Sequence, residues 1–105
     1  MAKNRFLGEF ELLVMTAMIR LGKDAYGATI RAEIESRAKR SVTVGALYAT
    51  LARLEDKKYV FSRVGEATPQ RGGRAKRYFK ITALGRTQLD KSVTAINRML
   101  DGVSL

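Results

Sequence analysis

Thr43-Val44-Gly45-Ala46-Leu47-Tyr48-Ala49-Thr50-Leu51-Ala52-Arg53-Leu54 is the stretch on which the fold depends. Leu47, Leu51 and Leu54 stand at i, i+4 and i+7, which places them as one apolar stripe on a helix, and Thr43 is a fitting N-cap because its hydroxyl can accept a first-turn N–H. The opposite face carries Ala46, Tyr48, Ala49, Thr50 and Arg53. It is small and polar with one aromatic, and it lacks the Glu–Lys pairs of a helix that merely meets solvent. Two readings of that face stand: the small residues seat the helix against another helix, or they let it lie close to a DNA groove. The basic segment immediately downstream favours the second.

That segment holds two β-branched and aromatic runs, Tyr59-Val60-Phe61-Ser62-Arg63-Val64 and Arg77-Tyr78-Phe79-Lys80-Ile81, each readable as a strand. Between them Thr68-Pro69 and Gly72-Gly73 are turn formers, so the pair is expected to make a hairpin with a long tip bearing Arg71 and Arg74. Thr82 then caps a last helix from about Ala83 towards Leu100, with Leu89, Val93, Ile96 and Leu100 in one stripe. A single terminal helix beyond a finished domain has little of its own to pack on. Its apolar face most economically meets a symmetry mate, together with Phe10 and Leu13 of the first helix; the competing reading folds it back on its own domain.

Upstream, Glu9 to Leu21 is a helix apolar nearly all round, which must be covered on two sides. Gly22 supplies its stop, and Asp24 is the expected N-cap of a second helix running to about Ser36 with Ile30 and Ile34 inward. Tyr26 is expected to plug the core where that helix begins, and Gly27 to permit close packing. The resulting fold class is mainly α with a small β-hairpin. Residues 1–82 form the binding unit, and 83–105 a C-terminal dimerisation helix of the same compact body.

The 105 residues carry 20 Lys and Arg against 10 Asp and Glu, a formal charge of +10. From Lys57 to Lys80 there are eight basic residues and one acid, Glu66, so this stretch alone holds +7 of that excess. Concentrated positive charge suits a polyanion better than bland solvation does. With no Cys and no His, thiol chemistry, thiolate metal sites and the commonest general base are all missing. The pairs Glu9/Glu11 and Glu33/Glu35 are two residues apart and do not face each other on a helix, so no paired-carboxylate site is indicated. An enzyme is not expected, and neither a cofactor nor a metal is implied. The N-terminal residues lead into Glu9 and Glu11 rather than an apolar signal core, and no run approaches the roughly 18 apolar residues of a membrane span, so a cytoplasmic location without membrane contact is expected.

The order helix, helix, helix, strand, strand, helix is that of a winged helix-turn-helix. Four blocks sharpen it: Leu7-Gly8-Glu9-Phe10-Glu11, Asp24-Ala25-Tyr26-Gly27-Ala28-Thr29-Ile30, Gly45 through Glu55, and Gly72 through Thr82. In this order and spacing, over most of residues 7–88, the chain resembles the PadR-like transcriptional regulators. The resemblance implies a dimeric bacterial regulator that binds an operator, usually represses, and in several members is released by a small molecule. It places Ala46, Tyr48, Ala49, Thr50 and Arg53 on or beside the recognition helix and Arg71, Arg74 and Lys76 on the wing. It also marks Lys58 as a departure, because relatives generally have Gly there.

The chemistry expected of these residues follows from their types. The hydroxyls of Thr43, Thr50 and Tyr48 can donate to phosphates or meet base edges, Arg53 can reach either, and amides beside Gly45 suit a phosphate. For Tyr48 a second role, bracing the wing, stands level with direct contact. Arg71, Arg74, Lys76 and Arg77 would neutralise phosphates or enter a minor groove. Gly72-Gly73-Arg74 read as a nucleotide loop is weak, since neither a P-loop nor a dinucleotide fingerprint surrounds it. The partner expected is a double-stranded DNA operator bound by a homodimer. A winged module for RNA or protein is the alternative, and a small-molecule effector stays open. An effector pocket at the dimer interface, lined by Met15, Met18, Ile96 or Met99, competes with the plainer reading of these methionines as core.

Overall fold

The computed structural model describes residues 6–65 and 75–105. The order is α1 (Glu9–Leu21), a short 3-10 turn (Gly22–Asp24), α2 (Gly27–Ala38), α3 (Val44–Asp56), β1 (Val60–Val64), β2 (Arg77–Ile81) and α4 (Ala83–Leu100). This is the mainly helical architecture with one hairpin expected from the residues.

The three leucines of α3 are buried, together with Val14, Met15, Ile30 and Ile34 of α1 and α2, in a single core that Val60 and Phe79 extend under the hairpin. Thr43 caps α3 as expected: its Oγ1 accepts from the Ala46 N–H at 3.1 Å. Thr82 caps α4 in the same way through the Gly85 N–H at 2.9 Å. α1 stops at Gly22, whose φ of 60° favours glycine. The N-cap expected at Asp24 is not observed. Residues 22–24 form the 3-10 turn, and α2 begins two residues later, where the Thr29 Oγ1 accepts from the Tyr26 N–H at 3.0 Å and donates to the Asp24 carbonyl at 2.6 Å. A side chain inside the helix thus takes the capping role.

The later start leaves Ala25 and Tyr26 extended, and they pair with β2. The Phe79 N–H donates to the Ala25 carbonyl at 2.9 Å, and Tyr26 bridges Tyr78 in antiparallel fashion. These two residues lock the hairpin to the helical core. The hairpin itself pairs Val60 with Ile81 through Val64 with Arg77. Its expected tip, with Arg71, Gly72, Gly73 and Arg74, lies outside the described residues.

The end of α3 is closed by a Schellman turn: the Tyr59 N–H reaches the Leu54 carbonyl at 2.9 Å and the Lys58 N–H the Glu55 carbonyl at 3.0 Å. The residue that must turn left-handed is Lys58, at φ 67°. A side chain there costs up to about 1 kcal/mol relative to glycine. Lys58→Gly is therefore expected to raise stability by roughly 1 kcal/mol, or a few degrees in Tm, which thermal unfolding followed by circular dichroism would measure. An unchanged or lowered Tm would count against strain at this turn.

One ion pair ties the start of α1 to the end of α3. The Lys57 Nζ donates to the Glu11 Oε2 at 3.1 Å, while the other oxygen accepts from the Gly8 N–H at 2.9 Å. Burial pushes the Glu11 carboxyl up, but the Gly8 N–H and the Lys57 ammonium outweigh it and hold the group below the usual carboxylate range.

α4 divides into two halves. Leu89, 7% exposed, joins the core, and the buried Ser92 hydroxyl accepts from the Leu7 N–H at 2.9 Å. Beyond Ser92 the helix leaves the domain: Val93, Ile96, Leu100 and Met99 are exposed, the last at 78%. Leu89 therefore belongs to the chain's own core and cannot join an outward stripe with the other three. Phe10 and Leu13 of α1 are half-buried against that same core.

Candidate nucleic-acid interface

α3 presents an outward face because its leucine stripe fixes its rotation. Val44, Gly45, Ala46, Tyr48, Ala49, Ala52 and Arg53 are exposed, and no acid occurs between Val44 and Arg53. Every side chain in this set except Tyr48 and Arg53 is no larger than valine, so an approaching surface can come close to the helix backbone. Thr50 does not share that face. It is 2% exposed, and its Oγ1 accepts from the Arg53 Nη2 at 3.0 Å. At i+3 from Leu47 and beside Leu51 it falls on the edge of the buried stripe, so its hydroxyl orients Arg53 instead of facing outward. Thr43 is exposed at the helix start, with one lone pair engaged in capping and its O–H proton still available.

Tyr48 is 45% exposed, and its ring leans on the first residue of α2. A Cβ on Gly27 would overlap the phenol oxygen, so Gly27 is required for this tyrosine's position rather than for helix packing in general. The bracing role considered for Tyr48 falls to Tyr26 instead. The Tyr26 and Tyr78 rings meet edge to face with centroids 5.4 Å apart, joining the α2 start to the hairpin. Tyr26 is only half-buried, so it works as a buttress at the domain edge and not as a core plug. The signal for this pairing was present in the two tyrosines, but nothing local linked positions 52 residues apart.

On the hairpin, the Lys76 Nζ lies 5.1 Å from the centre of the Tyr26 ring, and the Arg63 guanidinium 5.3 Å from that of Tyr78. Arg77 is exposed and its Nη1 donates to the Ser62 hydroxyl at 3.0 Å, which itself donates to Glu55 at 2.8 Å. These contacts fix the roots of the cations without neutralising them by an ion pair among the described residues. Arg71 and Arg74 lie outside those residues. The structure therefore brings Thr43, Gly45, Ala46, Tyr48, Ala49 and Arg53 onto one helix, and Lys76 and Arg77 onto the hairpin that follows it.

Met15 and Met18 are buried in the core of the chain's own domain, whereas Ile96 and Met99 are exposed far along α4. The four do not line one pocket within the chain. Among the described residues no helix is long and apolar enough to cross a membrane, and no group of His, Cys, Asp and Glu side chains could hold a metal.

Three helices with a helix-turn-helix at their centre, followed by a two-stranded hairpin docked on the second helix's start, define a winged-helix protein. The comparisons agree. The model of the Transcriptional regulator PadR-like family matches residues 15–91. An uncharacterised protein of Lysinibacillus sphaericus is 37% identical over 75 residues, covering 70% of this chain and 66% of that protein, so this chain aligns with just under two thirds of its relative's length. Among solved structures, a PadR-like transcription factor of Bacteroides fragilis superposes with a TM-score of 0.66 at 25% identity, covering 90% of this chain and 89% of that one. A PadR family transcription regulator of Clostridium difficile does so at 0.70 and 23% identity, covering 90% and 96%, and bears on the fold alone. The chain belongs to the PadR-like family of transcriptional regulators. Members of that family are transcription regulators, not enzymes.

Proposed function

We propose that the chain represses transcription by binding a pseudo-palindromic operator as a homodimer, with α3 in the major groove and the hairpin on the flanking backbone. The observation that carries this is the outward face of α3: small, free of acids, and continuous in sequence with a hairpin whose root cations Lys76 and Arg77 form no ion pair among the described residues. B-DNA's major groove admits a helix of this kind, and the short side chains leave Tyr48 and Arg53 as the groups that reach furthest. Gly45 leaves the first-turn amides open to a phosphate. Lys76 and Arg77, with Arg71 and Arg74, supply phosphate contacts that fix register without reading sequence.

The dimer is supported by the outer half of α4. Val93, Ile96 and Leu100 recur at helical spacing and stand exposed with Met99 and Val103, a larger apolar run than a lone helix leaves in water. Two copies joined there would present two α3 helices, and half-sites about 10 bp apart or a multiple of that follow from the duplex repeat. A dimer seated on a promoter excludes other proteins by occupancy, and repression is the regulatory sense that needs nothing further from the chain.

Selection of bound fragments from the genomic DNA of the source, followed by gel shift against structured RNA as competitor, tests the reading. It expects an enriched two-fold site and no displacement by RNA. Affinity should also fall steeply with salt: with about 6–10 phosphates neutralised per dimer, the log–log slope of the binding constant against salt is expected near −5 to −9. A slope near zero, or RNA bound as tightly as the selected duplex, would reject the proposal.

A further inference from the structure

A groove of about 430 Å³ opens between the C-terminal end of α1, the 3-10 turn that follows it, and the hairpin. That size lies within the roughly 300–1,000 Å³ of small-molecule sites. Its apolar lining includes Ile19, Phe61, Phe79 and Ile81, of which Ile19 and Phe61 are left 42% and 46% exposed. Its polar lining brings together Lys23, Arg63, Lys80 and Arg86. Among the described residues no acid lines the groove, and none of the four cations forms an ion pair.

From this we infer that the groove binds a single-headed amphipathic anion, a medium-chain fatty acid carboxylate being the class that fits. Four cations around one opening repel each other, and a carboxylate among them relieves that repulsion. A headgroup alone leaves the apolar lining in water, whereas an aliphatic chain covers Ile19 and Phe61 and gains on the order of 25 cal/mol for each Å² of apolar surface removed. A neutral chain leaves the cations unpaired. The duplex is a poorer occupant, because no residue of α3 lines the groove and phosphates gain nothing from its apolar side chains. A second copy of the chain is poorer too, since the exposed stripe of Val93, Ile96, Met99 and Leu100 contributes nothing to the lining.

The measurement uses the DNA-free chain, so its outcome is independent of the operator reading. Backbone amide spectra are recorded while decanoate is added below its micelle concentration, with decanol and acetate as separate titrants. Decanoate is expected to saturate at one per chain with perturbations centred on Ile19, Gly22, Phe61 and Lys80, and to bind at least tenfold more tightly than either decanol or acetate. Phe61→Ser with Lys80→Gln, both exposed positions, should weaken decanoate tenfold or more with the circular dichroism spectrum unchanged. Equal binding of decanol or acetate, or perturbations centred on Ile96 and Met99, would overturn the assignment. So would co-sedimentation with phosphatidylglycerol vesicles without a saturable decanoate response.

Discussion

Ile96→Glu is expected to yield a monomer at micromolar concentration and to lower operator affinity on the order of 100-fold, equivalent to about 2.7 kcal/mol. Ile96 sits between Val93 and Leu100 on the stripe that the domain leaves uncovered, and at 45% exposed it contributes little to its own core. A carboxylate there would be buried against its symmetry mate without a partner, which costs several kcal/mol per site. The folded monomer would keep its α3 surface but engage one half-site, losing the gain from two tethered contacts. Sedimentation velocity with gel shift measures both effects. A dimer that survives the substitution would move the interface elsewhere, and a monomer that binds the operator unimpaired would remove the dimer from the mechanism.

Ala49→Glu is expected to abolish binding to operator and random duplex alike, by about 100-fold or more, with less than about 1 kcal/mol change in folding stability. Ala49 is exposed in the middle of the acid-free face of α3, so a carboxylate meets solvent in the free protein and phosphates or base edges in the complex. Fluorescence anisotropy with a labelled duplex checks the affinity, and thermal unfolding checks the fold. The informative contrast is its neighbour. Thr50→Ala removes a buried hydroxyl that accepts from Arg53, so it is expected to cost roughly 1 kcal/mol of stability and to alter binding only through Arg53's orientation. Were Ala49→Glu to bind normally while Thr50→Ala lost sequence preference, the helix would be rotated from the proposed pose.

The same two positions mark how far the residues could be read in advance. On a helical projection Ala49 lies opposite Leu47 whereas Thr50 borders the stripe, three residues after Leu47 and four before Leu54, yet their types suit a polar face equally well. Their fates differ because α1, α2 and β1, all packed on α3, cover a wider arc than three leucines define, and that width depends on how those elements cross. A comparable limit applied to α4. Its stripe was visible, but the point where it leaves the domain, between Leu89 and Val93, depends on where Leu7 and Ser92 meet. Lys58 was legible in a different way: a resemblance suggested a glycine position, and the observed φ of 67° supplies the physical reason.

Local chemistry alone determined the element types, the caps at Thr43 and Thr82, the stop at Gly22 and the concentration of charge beside the third helix. Those features rest on contacts within a few residues, where periodicity and side-chain type are sufficient. The tertiary structure decided what depends on distant partners: the late start of α2 and the strand-like pairing of Ala25 and Tyr26 with β2, the burial of Thr50, and Gly27 as the space for a tyrosine 21 residues away. A packed interior assigns each side chain by what all its neighbours leave vacant, and no window of sequence contains that sum.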